Sequence, residues 1–137
     1  MDIKITNHPE EMKNVFPAAW HPRIDYFSGL KFPLGFLGVI RIDYMSGCCL
    51  FQFDGMLTLF NLWTSPSHRG KGYAQGIVRM AANPAVSKGK IVLAHYRKDE
   101  ANVAKVFANT GYDIVHMGTD KFIIVASRRE WNEWESV

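Results

Sequence analysis

Residues 57–76 read LTLFNLWTSPSHRGKGYAQG: an apolar run, a polar turn around Pro66, and a basic loop with two glycines ahead of residues that favour a helix. A strand that passes through a glycine-rich loop into a helix leaves backbone amides unpaired at the helix start, where the helix dipole also favours negative charge. Gly70 and Gly72 let such a backbone approach a bulky anion, because no Cβ stands in the way. Arg69 and Lys71 add two full positive charges. Two familiar phosphate loops do not fit. The triphosphate loop needs Ser or Thr directly after its lysine, and Lys71 is followed by Gly72. The dinucleotide fingerprint needs a third glycine where this chain has Gln75, and it belongs to a leading βαβ unit rather than to the middle of a chain.

The charge pattern around the loop points the same way. Residues 55–98 hold seven Lys and Arg and not one Asp or Glu, whereas residues 1–54 carry five bases and six acids and residues 99–137 four and seven. A stretch of 44 residues without a carboxylate suits an anionic partner. The 137-residue length and an apolar fraction of 47% suit one domain, residues 1–137, with a single sizeable core. No apolar run approaches the roughly 20 residues that cross a bilayer, so no membrane partner is expected. Cys48 and Cys49 are adjacent, and strand neighbours point to opposite faces, so the pair reads as two reduced thiols, and the chain as cytoplasmic. Buried thiols acting as small apolar residues account for them better than catalysis does.

Working outward from the loop, the periodicity predicts a strand over 2–6 and a helix carrying Met12, Val15 and Phe16 that is interrupted at Pro17. A second short helix over Arg23–Ser28 ends at Gly29. Strands follow over Phe36–Met45, Cys48–Phe53 and Met56–Thr64, with turns at Ser46–Gly47 and Asp54–Gly55. The helix after the loop runs from about Gly72 to Ala82 and is expected to stop at Asn83–Pro84. A buried strand over Ile91–Arg97 leads to a helix from Asp99 or Glu100, with Val103, Val106 and Phe107 at helical spacing and Gly111 as its end. The strands Tyr112–Met117 and Lys121–Ser127 close the chain as a hairpin. This order makes an α/β (α+β) domain with a mixed sheet.

Arg69–Ala74, which reads R-x-x-G-x-A, closely resembles the acyl-CoA pyrophosphate loop of the GNAT superfamily of N-acetyltransferases. The preceding LTLFNLWTSP, the later KVFANTGY at 105–112 and the order of elements extend the resemblance over roughly residues 35–127. It implies a mostly antiparallel sheet of about seven strands with helices on both faces and a splay between the fourth and fifth strands. The co-substrate would be acetyl-CoA, with no metal. By the same resemblance the pantetheine arm would lie along the fourth strand, flanked by the backbone of Leu62 and Thr64, with the Leu62 amide polarising the thioester carbonyl. A donor so placed is worth roughly 3 kcal/mol in comparable acyl-transfer sites. The amides of Gly70, Lys71, Gly72, Tyr73 and Ala74 would hold the pyrophosphate, supported by Arg69. Asn102 would be the pantetheine contact only if the loop is shifted, since the residue usually in that role aligns with Glu100.

The resemblance is incomplete at the chemistry. In the ribosomal-protein N-terminal acetyltransferases, which LTLFNLWTSP resembles locally, a Glu on the fifth strand acts as base and a Tyr in the next helix as acid. Here those positions fall on His95 and Phe107. His95 has a reference pKa suited to proton transfer near neutrality and is the candidate base, although a histidine merely packed beside the groove fits the same position. Tyr73, Tyr96 and Tyr112 are the tyrosines near the motifs, and Tyr73 reads as packing. The acceptor would enter between the first helices and the last hairpin, near Trp20, His21, Tyr26, Phe27, His116 and Asp120. That region is only mildly acidic, through Glu10, Glu11 and Asp25, so a peptide or protein amine is favoured over small amines and a polyamine is not. A non-catalytic module that binds acyl-CoA or a protein partner is the alternative, and a homodimer is compatible with either. A nucleic-acid surface is the weakest reading, because Arg79, Lys88, Lys90, Arg97 and Lys98 are scattered over a helix, a loop and a strand end.

Overall fold

Adjacent residues on three neighbouring strands sort into two different cores. Val39, Cys48, Leu50, Leu57 and Leu59 belong to one buried cluster, and Ile40, Cys49 and Phe60 to another. Neighbours on a strand point to opposite faces, so the sheet is covered on both. The computed structural model describes residues 2–29, 35–53, 56–88, 91–96, 102–117 and 122–128. Its strands are β1 (Ile3–Thr6), β2 (Gly35–Arg41), β3 (Ser46–Phe53), β4 (Met56–Thr64), β5 (Ile91–Tyr96), β6 (Tyr112–Met117) and β7 (Phe122–Arg128). Its α-helices are α1 (Pro9–Met12), α2 (His21–Ser28), α3 (Tyr73–Val86) and α4 (Asn102–Asn109). Among the described residues seven strands lie in the order β1-β2-β3-β4-β5-β7-β6, and only β4 and β5 pair in parallel.

One face carries α3 and α4. Ile77, Val78, Ala81, Ala82, Ala85 and Val86 of α3 join Val103 and Phe107 of α4 in the first cluster. The other face carries Met12, Val15, Phe16 and Ile24 from α1, its following turn and α2. The expected sheet, its strand number and the placement of helices on both faces are therefore present. Cys48 and Cys49 are both fully buried, one in each cluster. Burial pushes the Cys48 thiol up to about 12 and raises Cys49 as well. The thiolate is the reactive form, and burial disfavours it at both cysteines. A colorimetric thiol reagent is expected to label neither cysteine in the native chain and both once denaturant is added. Stoichiometric labelling without denaturant would place a cysteine at the surface.

Three boundaries depart from the sequence expectation. Ser46 and Gly47 lie inside β3 instead of forming a turn. The true turn is Ile42–Met45, where the Asp43 carboxylate accepts the Met45 amide and Tyr44 adopts a φ of 62°. Gly47 is small for packing, since a Cβ there would come within 2.9 Å of Ile40 Cγ2 and of the Val39 carbonyl. The helix α3 does not stop at Asn83–Pro84 but runs to Val86. Pro84 deprives it of one hydrogen bond, yet the extra turn buries Ala85 and Val86, and the Asn83 side chain accepts the Tyr112 hydroxyl. The first helix is shorter than its apolar spacing suggests: α1 ends at Met12, and Val15 and Phe16 follow in a turn.

Candidate active site

The parallel ladder between β4 and β5 runs from Met56 opposite Ile91 to Phe60 opposite His95 and goes no further. Beyond it β4 continues to Thr64 while staying paired with β3 on its other side. Trp63 sits opposite Gly47 and Phe60 opposite Cys49, so Asn61 and Leu62 together face the single residue Cys48. One extra residue on a strand is a β-bulge, which bends it away from its neighbour. Asn61 adopts a φ of 52°, a conformation that asparagine tolerates better than other side chains. Its side chain is buried, donating from Nδ2 to the Trp20 carbonyl at 3.3 Å and accepting Arg23 Nη1 at 3.2 Å. Ser46 holds the end of β4 to β3, donating its hydroxyl to the Trp63 carbonyl at 3.0 Å and lying 2.8 Å from Thr64 Oγ1. Among the described residues the pairing of the fourth and fifth strands thus ends beside the bulge at Asn61, in the region where a splay is expected.

Beyond the splay the chain makes a short 3₁₀ turn, Pro66–His68, and then the glycine loop. Gly70 and Gly72 have φ of +82° and +79°, in the left-handed region that favours glycine. A Cβ on either would meet no atom within 4 Å, so open space lies on that side of the backbone. Gly72 is the N-cap of α3 and offers no side-chain cap; the first amide returned to it is that of Gly76, at 3.2 Å. The first-turn amides of α3 are therefore without an intrahelical partner. Tyr73 packs, as expected: the Arg41 guanidinium lies 3.6 Å from its ring centroid and the His68 ring 6.1 Å on. Asp43 in turn holds Arg41 at 3.2 Å, and that guanidinium keeps the Asp43 carboxyl below the usual carboxylate range.

A cavity of about 410 Å³ joins these parts. Leu62, Thr64, Arg69, Gly70, Gly72, Tyr73 and Ala74 line it, so seven of the anticipated residues meet in one place. Lys71 is exposed on the loop. Arg69 does more than add charge: its Nε donates to the Thr64 carbonyl at 3.0 Å and its guanidinium lies 4.8 Å from the Trp63 ring centroid, which ties the loop to β4. His95 is in β5 at the point where the ladder with β4 ends, and Asn102 opens α4. The side chains of both lie outside the described residues, as do His116 and Asp120. Tyr112 is buried with its hydroxyl donating to Asn83, and Phe107, which has no proton to donate, is buried in the core.

Sequence reasoning missed Trp63, Gln75, Val103, Lys105, Val106 and Asn109 in the lining. The α4 residues escaped because helical spacing marked Val103 and Val106 as core, which they also are. Asn61, a lone polar residue inside an apolar strand, was the visible cue to the bulge. Among the described residues, no three His, Cys, Asp or Glu side chains gather as metal ligands, and no helix is long and apolar enough to cross a membrane. Arg79 donates to the Asn109 carbonyl, and Lys90, Arg97 and Lys98 are outside the described residues.

The sequence profile described as FR47-like protein matches residues 34–119, more than half of the chain and all of β2 through α4. The chain belongs to the FR47-like family. The fold of this FR47-like chain is shared with solved acetyltransferases, among them structures described as members of the GNAT family. It resembles paia N-acetyltransferase from Thermoplasma acidophilum, solved with coenzyme A, at TM-score 0.59 and 12% identity over 93% of this chain and 99% of that one. The IAA acetyltransferase from Bacillus cereus is similar at TM-score 0.64 and 12% identity, covering 91% and 98%. A ribosomal-protein alanine N-acetyltransferase from Escherichia coli is similar at TM-score 0.59 and 11% identity, covering 90% and 91%. At these identities the likeness is one of fold. No curated protein sequence is significantly similar to this FR47-like chain.

Proposed function

We propose that this FR47-like chain, residues 1–137 as one acyltransferase domain, transfers an acetyl group from acetyl-CoA to a primary amine by direct attack on the thioester. The observation that carries the reading is the meeting of two structures in one cavity: the unpaired end of β4, and the glycine loop that opens α3. Open space over Gly70 and Gly72, left-handed backbone at both and uncapped amides at the start of α3 fit a pyrophosphate. Leu62 and Thr64, beyond the last β5 partner, fit an extended arm that carries its own amides.

Acetyl-CoA supplies the activated acyl carbon. The Leu62 amide polarises its carbonyl oxygen, and the amides from Gly70 to Ala74 hold the phosphates with Arg69 and Lys71 as electrostatic support. Asn102 is retained as a candidate contact to the arm. His95 takes the proton that the ammonium must lose before its nitrogen can attack, and solvent protonates the leaving thiolate, since Phe107 has no proton to give and the Tyr112 hydroxyl donates to Asn83. A peptide or protein amine is the favoured acceptor. Two unpaired, buried thiols support a cytoplasmic location as part of this reading.

Calorimetry with acetyl-CoA and a thiol-release assay against pooled amines test this reading. Binding together with acceptor-dependent release is expected; binding without release would leave a non-catalytic acyl-CoA module. His95→Ala is expected to lower the rate about 10²-fold and to remove the acidic limb of the pH–rate profile. An unchanged profile would take His95 out of the chemistry.

A further inference from the structure

The cavity has two ends of different chemistry. Toward α3 it is glycine, backbone amide and cation; toward α2 it is aromatic. Trp20, in the 3₁₀ turn before α2, and Trp63 of β4 both line it, and their indoles meet edge to face with centroids 5.1 Å apart. Both rings are only half-buried, so a large apolar surface with a polar N–H handle faces the cavity. The corner is held in place. Trp20 stacks on Phe16 at 6.0 Å, and its carbonyl receives the side chain of Asn61, the bulge residue directly before Leu62. The aromatic corner is thereby fixed relative to the splayed strand end.

Charge narrows the ligand further. The described carboxylates of α1 and α2 are already occupied: Lys13 lies 2.8 Å from Asp25 and 3.0 Å from Glu10, and Lys4 lies 3.0 Å from Glu11. The described lining of the cavity contains no carboxylate and includes Arg69 and Lys105. Among the described lining residues a polycation would meet two like charges and no carboxylate.

Resting on the acetyltransferase reading above, we propose that the acceptor is a primary amine carried close to an aromatic ring, which docks in the Trp20–Trp63 corner while the amine reaches the splay beside Leu62. One proton of the ammonium goes to a base or to solvent. The nitrogen then bonds to the acetyl carbon as the carbon–sulfur bond breaks, and the second nitrogen proton ends on sulfur, releasing the amide and free CoA thiol. Such an amine can be a free arylalkylamine or a peptide N-terminus with an aromatic first residue.

The test titrates the CoA-saturated chain calorimetrically with phenethylamine, phenylalanyl-glycyl-glycine, alanyl-glycyl-glycine and spermidine, and measures acetylation of the same four. The aromatic compounds are expected to bind about tenfold or more tightly than their non-aromatic counterparts, and their ranking against each other identifies the source. Trp20→Ala should erase the preference through KM rather than kcat, and Trp20→Phe should restore it. If CoA binds while spermidine or the alanyl peptide is taken equally well, the aromatic acceptor is wrong and the acetyltransferase reading stands. Failure to bind CoA at all would sink both. The four-compound comparison on the unsubstituted chain decides the matter even where Trp20→Ala does not fold.

Discussion

Gly72→Glu is expected to weaken acetyl-CoA binding about 10³-fold in calorimetry, from two effects of similar size. Position 72 has a φ of +79°, and a residue with a Cβ pays on the order of 1–2 kcal/mol to stay there. The added carboxylate would project into the space that is open beside the backbone, where a phosphate is expected. Displacing one hydrogen-bonded anion from the uncapped start of α3 removes about 1.5–3 kcal/mol more, since hydrogen bonds to charged groups are the strong ones. Together these come to roughly 4 kcal/mol, or about a thousandfold. Gly72→Ala separates the two: it carries the backbone strain without the charge and should lie between the parent and Gly72→Glu. A Gly72→Glu chain that folds and binds acetyl-CoA like the parent would remove the loop from the site.

The second large effect concerns stability. Phe60→Ala should destabilise the chain by about 3–5 kcal/mol, the range for deleting a fully buried phenyl group. Phe60 is only 1% exposed, and its ring lies 4.6 Å from Phe27, 5.9 Å from Phe51 and 6.5 Å from Phe36, centroid to centroid. It is also the last β4 residue paired with β5, so the cavity left by truncation would lie directly under the bulge. Urea denaturation should show a lower midpoint with little change in slope, because the surface exposed on unfolding is nearly the same. A loss below about 1 kcal/mol would mean that α1 and α2 collapse onto the vacancy, and that this face packs loosely.

The loop was legible in the sequence because its requirements are local. Positive φ, absent side chains and a helix start can all be read from Gly70, Gly72 and the residues after them. The order of elements and the pairing of β2, β3 and β4 and of β6 with β7 were legible for a similar reason, since turns and alternation carry them, whereas the place of β7 beside β5 was not. What was not legible depends on partners distant in sequence. The turn was placed at Ser46–Gly47 because Gly usually marks one, but Gly47 is required by Ile40 and Val39 across the strand. The end of α3 was placed at Pro84 because propensity stops there, while burial of Ala85 and Val86 carries the helix onward. Trp63 was hidden because an aromatic in an apolar strand reads as core, and only the bulge after Phe60 turns it toward the cavity.

The bulge at Asn61 has a consequence for the economy of the whole sheet. Among the described residues the sheet has two outer margins, β1 and β6, and the end of the β4–β5 ladder at Phe60 leaves Leu62 and Trp63 without a described β5 partner, while the Thr64 carbonyl is taken by Arg69. Unpaired strand margins invite whatever extended chain comes near, and proteins ordinarily blunt or cover them. This stretch lines a cavity of about 410 Å³, with Trp20 and Arg69 beside it. On the proposed reading, an acyl-CoA arm is the slender, amide-bearing strand that completes the sheet, and each turnover opens and closes a seam in the fold.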